Sequence, residues 1–191
     1  MKQVSLSDVG RAPVRYDNLH MVLHWTTVVL VVALYSLAQI WGFFAKPTKN
    51  QLVEAHISLG LLLAAVVAMR ILWRLSFARS LPAAETGLME LAAKLGQAAL
   101  YLLLVATVAL GLCMHWAAKG QVSFFGLFAI SSPFPVNDGL ARALLPFHHW
   151  AATVLIVVAA GHASIALFHG FVLRDGVLQR MLPPGRYRSG Q

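Results

Sequence analysis

Four histidines define the chemistry open to this chain: His24, His56, His148 and His162. His148 opens the stretch HHWAATVLIVVAAGHASIALFHG, which runs to Gly170 and holds no Lys, Arg, Asp or Glu. On a helix, His148 and His162 fall within roughly 40° of one face and about 21 Å apart along the axis. An imidazole inside hydrocarbon is costly and normally has a partner. Two on one stripe, near opposite leaflets, point to two cofactors stacked across a membrane. Neutral imidazoles without carboxylate or thiolate company favour haem iron over zinc or calcium. Two imidazoles on one iron leave no vacant position, so such a centre moves electrons and is poorly suited to binding oxygen or cleaving peroxide.

Depth then assigns the pairs. His24 lies about one turn into the first apolar run, on the inner side, and His162 reaches the same depth on the fourth. His56 and His148 stand at the outer ends of the second and fourth runs. The expectation is therefore an outer iron held by His56 and His148, and an inner iron held by His24 and His162. Each pair joins two helices, as a planar macrocycle between helices requires. The plainer reading makes all four satisfied polar residues between helices. Arg70, fourteen positions after His56 and on nearly its face, pairs with propionates of the inner haem or snorkels to water as a topology marker. Gly60 and Gly161 let a flat ring approach the backbone, or serve ordinary small-residue helix packing. His149 points away from the His148 stripe and is read as interfacial, though a slip of one residue would make it the ligand. His20 is expected to face headgroups and His115 the outer interface. His169, two turns beyond His162, has a quinone or proton role or is solvent-facing packing. Cys113 is a small packing residue.

The elements that position these side chains are membrane spans. Of the 191 residues 59% are hydrophobic and 12% charged, about half the charge of a soluble domain. The chain is expected to be a single membrane domain, all-α, a four-helix up-and-down bundle with helices at about 19–45, 54–74, 91–116 and 147–172. The connection 117–145 is expected on the outer, periplasmic side, lying on the membrane surface as a cap because Val122 to Phe128 is too apolar for open water. One cysteine excludes an internal disulfide, covalent haem through C-x-x-C-H, and C-x-x-C sites for zinc or iron–sulfur clusters. The formal charge of +8 is spread in short segments between apolar runs, a topology signal rather than a nucleic-acid surface. Lys46, Lys49, Lys119 and Arg142 fall on one side. The other eleven of the 15 Lys and Arg residues, including Lys2, Arg11, Arg15, Arg74, Arg79, Arg174, Arg180, Arg186 and Arg188, fall on the other. The positive-inside rule then places both termini in the cytoplasm. A cleavable signal peptide ending near Ser36-Leu37-Ala38 is disfavoured by the length of the first apolar run.

At this point the chain resembles the bacterial cytochrome b561 family, di-haem proteins of the inner membrane. The resemblance covers nearly all of it. It rests on Tyr16 through Leu23-His24-Trp25, His56 with Ser58 and Gly60, Arg70 and Arg74, and Thr86-Gly87-Leu88. It continues through Leu95-Gly96 with Tyr101-Leu102-Leu103, and His148 through Gly161-His162 to His169. The family's haem ligands carry over to His24, His56, His148 and His162. The resemblance implies two haem b groups, ubiquinone as acceptor, and superoxide oxidase activity: electrons taken from superoxide outside and passed to the quinone. Lys46, Lys49, Lys119 and Arg142 near the outer haem would then concentrate the anion, or simply sit in solvated loops. His169, Gln97 and Lys94 are the candidates for quinone and its protons. Gln97 is a departure, since close members carry a histidine there. Besides the bilayer, the partners implied are small molecules, with no nucleic acid and a protein partner left open. The rival function is a cytochrome b conduit between a hydrogenase- or dehydrogenase-type partner and the quinone pool. A third reading is a non-redox assembly protein.

Overall fold

The computed structural model describes residues 15–77 and 87–182. Lys2, Arg11, Arg79, Thr86, Arg186 and Arg188, used above for topology and resemblance, lie outside the described residues. Four helices carry the structure: α1 (Asn18–Ile40), α2 (Lys46–Ser76), α3 (Leu88–Lys119) and α4 (Asp138–Phe168). All four are long and apolar enough to cross a membrane. A 3-10 turn (Trp41–Phe43) follows α1, and a π turn (His169–Leu173) continues α4. A second 3-10 turn (Leu178–Met181) closes the described chain.

Local chemistry explains the starts. Asp17 caps α1, its carboxylate accepting from the His20 N–H at 2.8 Å. Asn137 does the same for α4 through the Leu140 N–H at 2.9 Å, and each cap satisfies a backbone donor that the helix cannot. Pro47 sits in the first turn of α2, where its missing N–H is not needed. Gly120 ends α3 in a left-handed conformation (φ 71°).

The bundle is an integral membrane four-helix arrangement, with α1 packed chiefly on α2 and α3 chiefly on α4. A cluster of Leu30, Leu34, Leu63, Val67, Leu104 and Leu155 draws on every helix. Leu155 lies seven residues from both His148 and His162, and Leu63 seven beyond His56. The apolar centre therefore sits between the two histidine depths. Elsewhere the surface is apolar, as lipid requires: Val29, Val32, Leu72, Leu102 and Val157 all project outward.

Three boundaries differ most from the sequence reading. The α-helical part of α1 ends at Ile40 rather than near 45. α2 begins at Lys46, not near 54; its first turns are polar, so the apolar run alone does not reveal them. α4 begins at Asp138 rather than 147 and contains Pro146, a residue whose clash with the preceding turn normally argues for a boundary. The connection, expected as a cap, has regular structure of its own. Strands β1 (Gln121–Phe124) and β2 (Phe128–Ser131) form an antiparallel hairpin within it.

Candidate functional site

At the hairpin end, α2 and α4 bring His56 and His148 together. Their ring centroids are 6.4 Å apart with planes at 84°. Two metal–imidazole bonds of about 2 Å, with the ring radius added at each end, place the centroids of a bis-imidazole centre roughly 6 Å apart. The donor set fits too. His56 Nδ1 lies 3.0 Å from the Leu34 carbonyl oxygen, and His148 Nδ1 lies 3.0 Å from that of Thr107. A carbonyl only accepts, so each Nδ1 carries the proton and each Nε2 keeps its lone pair for a metal. Trp41 packs edge-on against His56 at 5.2 Å.

Gly111 makes the second of these contacts possible. A Cβ there would stand 2.9 Å from Cε1 and 3.2 Å from Nδ1 of His148. Thr107 and Gly111 are one turn apart on α3, so the missing side chain opens the face on which the ring reaches the Thr107 carbonyl. Gly60 and Gly161 have nothing within 4 Å of the position a Cβ would take. Neither glycine packs closely against a neighbouring helix.

The inner pair is arranged differently. Among the described residues, no ring contact or hydrogen bond joins His24 to His162, although both lie near Arg70. His24 is half-buried and His162 exposed. Arg70 Nη2 lies 3.0 Å from His24 Nδ1, and the Arg70 guanidinium lies 5.0 Å from the Tyr101 ring centroid. Arg74 stands over the same ring at 5.6 Å. Arg70 therefore does not reach for water as a snorkelling marker would. Among the described residues, its Nε is buried without a hydrogen-bond partner, as is His20 Nδ1. These are polar atoms suited to a negatively charged group such as a propionate. His20 does not face headgroups; it is buried (2% exposed) and stacks on Tyr16 at 4.6 Å.

At the end of α4, His169 Nδ1 pairs with Asp175 Oδ2 at 2.5 Å. Asp175 Oδ1 accepts from the Val177 N–H at 3.1 Å. Burial alone would raise the Asp175 carboxyl, but the hydrogen bonds from His169 and Val177 outweigh it and hold the group below its usual range. Among the described residues, neither Gln97 nor Lys94 hydrogen-bonds His169; Lys94 pairs with Glu90 at 2.6 Å. Lys46 and Lys49 belong to the first turn of α2 and Lys119 ends α3. Arg142 lines an open cavity of about 290 Å³ with His115, Asp138 and Met114. All four cations are thus at the His56–His148 end. His149 is exposed and Cys113 half-buried.

Sequence reasoning did not find Gly111, the Leu34 and Thr107 carbonyls, or Asp175. Backbone carbonyls carry no residue-type signal. Gly111 had one, as a glycine one turn from a threonine in a Leu- and Ala-rich helix. Asp175 had another, as the one acid beyond Asp138.

A family model described as Prokaryotic cytochrome b561 matches residues 15–184. Among curated relatives, the chain is similar to "Cytochrome b561 homolog 2" of Escherichia coli, 30% identical over 89% of this chain and 92% of the relative. It is 28% identical to "Probable superoxide oxidase CybB" of Yersinia pestis, over 90% of this chain and 98% of the relative. It is 29% identical to "Cytochrome b561 homolog 1" of Escherichia coli, over 88% and 97%.

Proposed function

Since the chain belongs to the prokaryotic cytochrome b561 family, and so is a bacterial membrane electron-transfer cytochrome, we propose that it is a superoxide oxidase of the inner membrane that reduces ubiquinone. His56 and His148 would hold an outer haem b, and His24 and His162 an inner one. Haem b, when bound, would supply one-electron chemistry. Overall, two superoxide anions lose one electron each and leave as two O2, while ubiquinone gains two electrons and two protons to become ubiquinol.

The residues divide the remaining work. Lys46, Lys49, Lys119 and Arg142 raise the concentration of a small anion at the outer end. The inner end binds anionic groups through Arg70, with Tyr101 beneath its guanidinium. His169, its Nδ1 fixed by Asp175, presents Nε2 for proton transfer to the quinone, with Gln97 and Lys94 as further polar groups toward that substrate. Both termini face the cytoplasm, by the distribution of Lys and Arg.

One observation carries this reading: His56 and His148 stand 6.4 Å apart with each Nδ1 at a carbonyl. Rapid mixing of the purified protein with superoxide, ubiquinone present, tests the substrate. Haem reduction faster than spontaneous dismutation supports it; slower reduction rejects superoxide as the donor.

A further inference from the structure

The β1–β2 hairpin has no part in the chemistry above, yet its tip is built in an unusual way. Phe125 is 53% exposed, Leu127 77% and Phe128 52%. Tight turns whose two central residues both have positive φ are normally made of Asn, Asp or Gly. Here the central pair is Phe125 (φ 47°) and Gly126 (φ 74°), closed by the Leu127 N–H donating to the Phe124 oxygen at 2.9 Å. Phenylalanine in left-handed backbone carries a steric cost. Water gives no reason to accept that cost over asparagine, whereas an apolar surrounding does.

The amide donors of the tip are satisfied in the same sense. The Phe125 N–H donates to Ser58 Oγ at 2.9 Å, and the Gly126 N–H to Ser123 Oγ at 3.3 Å. With Leu127 bonded to Phe124, no N–H from Phe125 to Leu127 is left for water. Ser58 donates its own hydroxyl to the Ser123 carbonyl at 3.4 Å. A loop in water has no need of such closure, but in lipid every backbone donor must find a partner within the protein. The tip thus combines apolar side chains that project outward with amides that do not.

Its depth follows from the latch. Ser58 is 2% exposed and lies two residues beyond His56. Before it, α2 carries Lys46, Lys49, Asn50, Gln51 and Glu54; after it, no charge occurs until Arg70. The hairpin is therefore fastened where α2 passes from polar to apolar. β1 packs on both α2 and α3, which touch each other less than the α1–α2 and α3–α4 pairs do. Val122 is buried there (1% exposed), and Trp116 Nε1 donates to the Ile130 oxygen at 3.1 Å.

We propose that the hairpin tip is seated among the acyl chains of the leaflet at the His56–His148 end, with Phe125, Leu127 and Phe128 in lipid and Ser58 as the latch. So placed, it closes the seam between α2 and α3 beside the two histidines. This placement does not depend on the redox reading.

Nitroxide accessibility on the full chain in phosphatidylglycerol-containing nanodiscs tests it. In a Cys113→Ala background, Leu127→Cys is labelled and its collisions with oxygen and with a neutral nickel chelate are compared. Val157→Cys, midway along α4, gives the lipid reference, and Asp138→Cys the aqueous one. The oxygen-to-nickel ratio at 127 is expected to match that at 157 and to exceed that at 138 several-fold. A ratio equal to that at 138 places the tip in water and overturns the proposal. Shielding from both reagents also overturns it, since a second copy or another protein then covers the tip. Phe128→Cys gives the same reading if Leu127→Cys does not fold. Adding Ser58→Ala is expected to raise nickel access at 127; unchanged access removes Ser58 as the latch.

Discussion

The Arg70 guanidinium meets His24 at 3.0 Å through Nδ1, the opposite sense to the contact that His148 makes with Thr107. A guanidinium only donates, so His24 accepts at Nδ1 and carries its proton on Nε2. The outer rings have Nε2 free for iron, whereas iron at Nε2 of His24 would compete with the Arg70 contact. A hydrogen bond to a charged group contributes about 1.5–3 kcal/mol. We therefore expect His24→Ala, which keeps the outer pair, to bind added haem at least about tenfold more tightly than His56→Ala, which keeps the inner pair. Haem titration of the two apoproteins checks this, and equal affinities would remove the distinction.

Gly111→Ala is expected to push the His148 ring off the Thr107 carbonyl, because the new methyl would meet Cε1 at 2.9 Å. The outer haem should be lost while the inner one and the helical circular dichroism remain. Gly42→Ala, with nothing within 4 Å of the added carbon, serves as the control and should keep both. Retention of both haems in Gly111→Ala would show that the ring tolerates displacement.

General acid catalysis by a positioned side chain contributes typically 10²–10⁴-fold. His169→Ala is expected to slow quinone reduction by about a hundredfold while leaving haem reduction by superoxide unchanged. Asp175→Asn should produce a smaller loss and alter the pH profile, because the carboxylate that holds Nδ1 is gone. Stopped-flow traces of the two half-reactions separate these outcomes. Equal slowing of both halves would instead indicate damage to the fold.

Asp17 joins α1 to α2, accepting from the His20 N–H at 2.8 Å and from Trp73 Nε1 at 3.0 Å. Burial raises its carboxyl, but these hydrogen bonds outweigh that and lower it below the ordinary 3.8. A depressed native value means that the contribution is complete above about pH 3.8 and is lost as pH falls through the lower native value. Asp17→Ala is expected to cost about 1 kcal/mol, read as a lower thermal midpoint in detergent at neutral pH. Acidifying below that window should narrow the gap between variant and parent.

The spans and their number were legible because hydrocarbon imposes an apolar length, and the four histidines stood out because it makes each interruption conspicuous. Arg70 stood out for the same reason. The polar first turns of α2 and the early start of α4 were not legible, since they lie beyond the apolar runs and Pro146 suggests a boundary. The hairpin was hidden because Phe124 to Phe128 lacks the usual turn residues other than Gly126. His20 was misplaced through its position near a helix end, where Tyr16 stacks on it. Of the candidate site, residue type and spacing suggest side chains. They do not suggest the carbonyls of Leu34 and Thr107, because every residue has one.

Haem content per polypeptide is the most direct test of the proposed arrangement, imidazoles from three helices meeting at two depths. Purified protein should contain two haem b per chain, both low-spin in the reduced-minus-oxidised spectrum, with His148→Ala reduced to one. One haem in the parent, or none lost from His148→Ala, would contradict it.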